Sequence, residues 1–211
     1  MTTTSWVLLG ITLAFAVTDW VAVWTGQQRV RYLAKPATLA ALIGVAVTLD
    51  PVDPTIRTWM VIGLVLSLAG DVFLMLDEKW FVAGLGSFLC GHIAYIVGLQ
   101  LAPRSLGWTA VGLLVVLAAI ATVGRKVVQG VAAGDQRAMV GPVIAYLVVI
   151  SAMVVSAFGT AAPWAIVGAG LFYASDATLA WNRFIETRRF GPLAVMITYH
   201  LGQIGLVAWL V

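Results

Sequence analysis

"LAGDVFLML", residues 68–76, sets one carboxylate, Asp71, inside a run otherwise made of apolar and small residues. The pattern returns around Asp176 in "FYASDATLAW" (172–181) and, more mildly, around Asp19 in "AVTDWVAVW" (16–24). Whether these acids stand in water or in lipid decides the fold. With 62% hydrophobic and 10% charged residues over 211 positions, the chain has too little polar surface to cover a water-soluble globule. It reads as an integral membrane protein.

A helix needs about 20 apolar residues to cross the hydrocarbon. Eight such runs fit: roughly 6–24, 32–49, 58–76, 81–101, 107–124, 138–159, 163–183 and 192–211. They are continuous and rich in Leu, Val, Ala and Gly, whereas barrel strands would alternate. The expected fold is therefore all-α, a polytopic bundle of eight transmembrane helices in a single transmembrane domain, 1–211. The connections carry helix-stop chemistry in "DPVDP", "DEKW", "APRSLG", "AAPW" and "RRFGP". The longest, 125–137, is expected at the membrane interface. The first run is read as a retained helix, because "MTTTSW" lacks a basic leader. Cys90 is the only cysteine, so no intrachain disulfide can form.

With eight crossings, one side collects Arg29, Arg31, Lys79, Arg125, Lys126, Arg137, Arg188 and Arg189, with Lys35 and Arg183 at helix edges; the other holds Arg57 and Arg104. This asymmetry places both termini on the extracytoplasmic side. The distribution matters more than the net charge of +3, which implies no nucleic-acid partner; membrane lipid is the expected surrounding. The oligomeric state has no signature in the sequence.

An ionised Asp or Lys at a helix centre costs about 2.5–3.5 kcal/mol. Three Asp and one Lys left alone would cost about 10 kcal/mol, comparable to the stability of a whole domain. They must meet partners or water. Counted at about 1.5 Å per residue from the cytoplasmic helix ends, Lys35 lies ~5 Å deep, Asp19 and Asp71 ~8 Å, Asp176 ~10 Å, His200 ~12 Å and His92 ~16 Å. This common level predicts one pocket opening toward the cytoplasmic side. Helical spacing sets Phe88, His92, Tyr95 and Leu99 on one face, and Tyr173, Asp176, Ala180 and Arg183 on another. Tyr199, His200, Gln203 and Tyr146 lie at similar depth. Asp19 and Lys35, on consecutive helices, are expected to form an ion pair, with Lys35 and Pro36 in a helix's first turn. A faint echo links "GD" followed by "GHIAY" to "SD" followed by "TYHLGQ".

The ordered set "KP" (35–36), "GDVFLML" (70–76), "FLCGHIAY" (88–95), "YASDATLAWNRF" (173–184) and "YHLGQ" (199–203) resembles the lysoplasmalogenase family of YhhN-like membrane proteins over nearly the whole chain. The resemblance implies a cell-membrane hydrolase that cleaves the vinyl ether of a lysoplasmalogen to a fatty aldehyde and glycerophospho-ethanolamine or -choline, with no cofactor. Such a bond breaks by protonation of its β-carbon, so one acid must carry a proton while another stays charged. Asp71 and Asp176 are the candidates, with His92 and His200 tuning protons or positioning water. Lys35, Asp19, Tyr95, Tyr146, Tyr173, Ser175, Tyr199 and Gln203 are the candidate substrate-binding residues, Lys35 for the phosphate. The competing readings are a proton-coupled transporter and a metal-dependent lipid amidase or esterase, although no metal-binding motif is present.

Overall fold

Helix ends are written locally in this chain. The computed structural model describes residues 1–211, nearly all of them helical and none in a strand. α1 (Thr3–Thr25) starts at Thr2, whose hydroxyl accepts from the Ser5 amide, and stops at Gly26, which takes φ 71°. That left-handed turn is open to glycine without steric cost. α2 (Gln28–Thr48) follows. α3 (Pro54–Met75) is capped by Asp53, which accepts from the amides of Thr55 and Ile56, with Pro54 at the first position. α4 (Phe81–Leu101) follows the short turn Glu78–Trp80.

α5 (Leu106–Ala119) runs through one π-helical turn, Ile120–Gly124, into α6 (Arg125–Ala133). α7 (Val140–Gly159), α8 (Pro163–Phe184) and α9 (Gly191–Ala208) complete the chain. The segment expected at the interface after residue 124 is thus a continuation of α5. It remains attached because Val127 and Val131 bury an apolar stripe against Val143, while its polar residues face outward.

Three antiparallel hairpins carry most of the packing: α1 with α2, α3 with α4, and α8 with α9. Between α8 and α9 the backbones nearly touch. A Cβ on Gly168 would lie 2.6 Å from the Leu206 amide nitrogen, and one on Gly202 would lie 2.8 Å from that of Phe172. α5 packs on α7 and otherwise exposes its leucines and valines, as its uniformly apolar run predicts. The core centres on Leu39, Met60, Leu64, Tyr95 and Phe172.

Seven helical segments are long and apolar enough to cross a membrane: α1, α2, α3, α4 with its preceding turn, α5 continuing through α6, α7 with its preceding turn, and α9. α8, the eighth expected span, has the length at 22 residues, but Asp176, Asn182 and Arg183 lower its hydropathy. Its polar positions face neighbouring helices or the ends of the bundle.

One expectation is overturned here. α2 begins at Gln28, so Lys35 and Pro36 lie in the helix interior. The polar stretch "QQRVR" simply continues the helix upstream. Lys35 is therefore buried, at 6% exposure, instead of snorkelling to the interface.

Candidate functional site

Asp71, in the last turns of α3, is fully buried. Lys35 Nζ on α2 lies 2.9 Å from its Oδ1, and the Tyr199 hydroxyl on α9 donates to Oδ2 at 2.7 Å. One oxygen thus faces an ammonium and the other accepts a hydroxyl proton. The ammonium also lies 5.8 Å from the centre of the Tyr199 ring. Gly70 lets α4 come close: a Cβ there would meet the Phe88 ring at 2.6 Å.

The expected Asp19–Lys35 pair does not form. The cation nearest Asp19 is Arg31, with Nε 3.8 Å from Oδ1, and neither Asp19 oxygen has a hydrogen-bond partner. Depth can be read from position along a helix, but rotation about the axis cannot. Lys35 has the expected neighbour in depth and points instead toward α3 and α9.

Asp176, in the middle of α8, is bound differently. The Tyr146 hydroxyl on α7 donates to its Oδ2 at 2.6 Å. His92 Nε2 on α4 lies 2.9 Å from the Tyr146 oxygen and 3.3 Å from the same Oδ2. His92 Nδ1 has no partner, so the network assigns the proton of a neutral ring to Nε2. The imidazole is fixed edgewise against Phe172, with ring centres 4.7 Å apart. One oxygen of Asp176 remains free of donors.

Both acids line one cavity, together with Lys35, Tyr146, Ser175, Arg183 and Tyr199. Leu74, Phe81, Leu85, Phe88, Val195 and Met196 are among its apolar walls. A second cavity shares Val143, Tyr146, Asp176 and Ala180 with the first. It is otherwise mainly apolar, bounded by the π-helical turn at Val123 and Gly124 and by Leu147, Ile150 and Tyr173. Asp176 and Tyr146 form the partition between the first cavity, which has Lys35 and Arg183 in its wall, and the second, which has no cation.

Other expected site residues lie elsewhere. His200 accepts from the Trp20 indole at Nδ1, 3.0 Å away, and packs behind Tyr199 without lining either cavity. Tyr95 donates to Gln203 Oε1 at 2.6 Å, and both are fully buried outside the chamber. Asp19 faces Arg31. Ser175 spends its hydroxyl proton on the Val195 carbonyl at 3.0 Å, which ties α8 to α9 at the chamber wall. Arg183, which helical spacing sets on one face with Asp176, lines the chamber. No three His, Cys, Asp or Glu residues lie close enough to hold a metal ion.

The YhhN family's sequence model matches residues 30–210. Proteins named lysoplasmalogenase from Mycobacterium bovis and Mycobacterium tuberculosis are each 37% identical over 181 residues, covering 82% of this chain and 67% of theirs. A mouse protein named lysoplasmalogenase TMEM86B is 32% identical over 153 residues, covering 71% of this chain and 62% of the mouse protein. The matched region thus spans about two thirds of the length of these relatives. No solved structure matches the chain.

Proposed function

The chain belongs to the YhhN family, and from that membership we propose that it is a multi-pass membrane hydrolase that splits the vinyl ether of a lysoplasmalogen. The products are a fatty aldehyde and a glycerophospho-ethanolamine or -choline. The observation that carries the reading is the convergence of Asp71 and Asp176 on one cavity. The names of the relatives give the reaction class.

The two hydrogen-bond environments divide the labour. Asp71, with the Lys35 ammonium beside one oxygen and the Tyr199 hydroxyl donating to the other, takes the charged role, because both neighbours favour the carboxylate. Asp176 keeps one oxygen free and carries the proton. Delivering it to the β-carbon leaves an oxocarbenium ion, which the negative charge of Asp71 stabilises in a site of low dielectric. Asp176, now a carboxylate, takes a proton from water as the oxygen attacks the α-carbon. The resulting hemiacetal expels the glycerol oxygen, which leaves as the alcohol, and the aldehyde forms. His92 and Tyr146 orient Asp176 and keep its other oxygen engaged.

The cation-free cavity beyond Asp176 suits the alkenyl chain, and the chamber that holds Lys35 and Arg183 suits glycerol and headgroup. The vinyl ether would then sit at the partition. In this reading the 211 residues form a single transmembrane unit in the cell membrane, with both termini outside and the chamber open toward the cytoplasmic leaflet. The experiment is aldehyde release by purified, folded protein. Asp176→Asn and Asp71→Asn each abolish it, and reaction in D2O places one deuterium on carbon 2 of the aldehyde. Near-wild-type turnover in either variant would remove that acid from the mechanism.

A further inference from the structure

A lysolipid's phosphate needs a cation at a set distance from the bond that breaks, and the chamber has two cations, Lys35 and Arg183. Lys35 is committed to Asp71 and buried. Arg183 is not. Its two terminal nitrogens face the two carboxylate oxygens of Glu78, one of them at 3.3 Å, while its Nε is buried without a partner. Glu78 sits on the turn between α3 and α4 with 72% of its side chain exposed. Resting on the reading of this cavity as a lysolipid site, the geometry points to Arg183 as the phosphate-recognising residue, with Glu78 as an internal anion that the phosphate displaces.

Three features support the exchange. A guanidinium facing two carboxylate oxygens presents the same fork to two phosphate oxygens, so Glu78 stands where the phosphate would bind. An exposed ion pair of this kind holds weakly, so a phosphodiester monoanion, which offers two non-bridging oxygens to the same fork, displaces the carboxylate at little cost. Once Glu78 leaves, Arg183 does not drift, because its guanidinium lies 4.5 Å from the centre of the Phe81 ring.

The spacing also fits. Seven residues on one helix face separate Asp176 from Arg183 by about 10 Å between Cα atoms. From vinyl ether oxygen to phosphorus a lysoplasmalogen has five bonds, about 6 Å at about 1.2 Å of reach per bond. The two side chains cover the remainder. The arrangement selects a phosphate carried on a three-carbon spacer, which is the glycerophospholipid class.

The test uses the full chain in detergent with two saturated ether probes that cannot be hydrolysed, a 1-O-alkyl lysophosphatidylethanolamine and the matching phosphate-free 1-O-alkylglycerol. In Arg183→Met the affinity ratio of the first probe to the second falls roughly tenfold or more, the worth of a charge-assisted contact, and Arg183→Lys recovers part of it. Glu78→Gln, on an exposed turn, binds the phosphorylated probe several-fold more tightly than wild type. An unchanged ratio in Arg183→Met with wild-type melting, or weaker binding by Glu78→Gln, would overturn the assignment. Because neither probe reacts, this outcome is separate from aldehyde release, whose absence in the wild type would overturn the hydrolase reading alone.

Discussion

Lys35 and Asp71 show how a membrane protein can hold charge at depth. Asp71 is fully buried and Lys35 nearly so, and each is tolerable only because the other is 2.9 Å away. Removing one partner strands the other, a loss of about 3–5 kcal/mol for buried pairs. Lys35→Met therefore lowers the melting temperature in detergent markedly, and adding Asp71→Asn restores most of it while activity stays lost. Full destabilisation persisting in the double variant would mean that packing, not charge, is at stake. Tyr146→Phe removes the donor to Asp176 and leaves the ring in place. Its expected effect is a fall in kcat of about 10²-fold, the scale of a misplaced acid–base group, with little change in melting temperature.

Helices bring these residues into register through small side chains. Gly168, Gly202 and Gly205 form the seam between α8 and α9, where any Cβ would press on facing backbone at 2.6–2.8 Å. Backbone cannot move aside as a flexible side chain can. Gly168→Ala and Gly202→Ala should each lower the melting temperature and, by shifting Asp176 against Tyr199, activity as well. Gly170, with nothing within 4 Å of its would-be Cβ, is the control, and Gly170→Ala should be neutral or mildly stabilising. The π-helical turn has a different consequence. It bounds the apolar cavity at Val123 and Gly124, in keeping with the frequent placement of such turns at functional sites. Narrowing that cavity with Ala177→Leu should lower kcat/KM for long alkenyl chains more than for short ones, read by competition between two chain lengths.

Across the whole molecule, the faint repeat of an acid followed by a histidine acquires a meaning that its halves lack separately. Asp71 of the first motif takes its tyrosine, Tyr199, from the second, and Asp176 of the second takes its histidine, His92, from the first. Neither half could assemble an acid with its partners alone. The expected orientation is likewise a property of the entire chain, with nine basic residues on or near one set of loops, Lys35 deeper on the same side, and Arg57 and Arg104 on the other. Single cysteines placed at Thr3 and Val211, in a background where Cys90 is Ser, should both react with an impermeant thiol reagent from outside intact cells; labelling of either end only after lysis would reverse the assignment. Composition and apolar run length determined that the chain is helical and built for lipid, and counting along each run put the acids, Lys35 and both histidines at one level. These are properties of segments, legible because burying backbone in hydrocarbon leaves a helix few alternatives. Which groups meet at that level was settled only by tertiary packing: Lys35 turned to Asp71 and not Asp19, and His200 turned to Trp20 and away from the chamber. The rotation of a helix about its axis depends on the shapes of its neighbours, and in a chain apolar on nearly every face no local pattern records it.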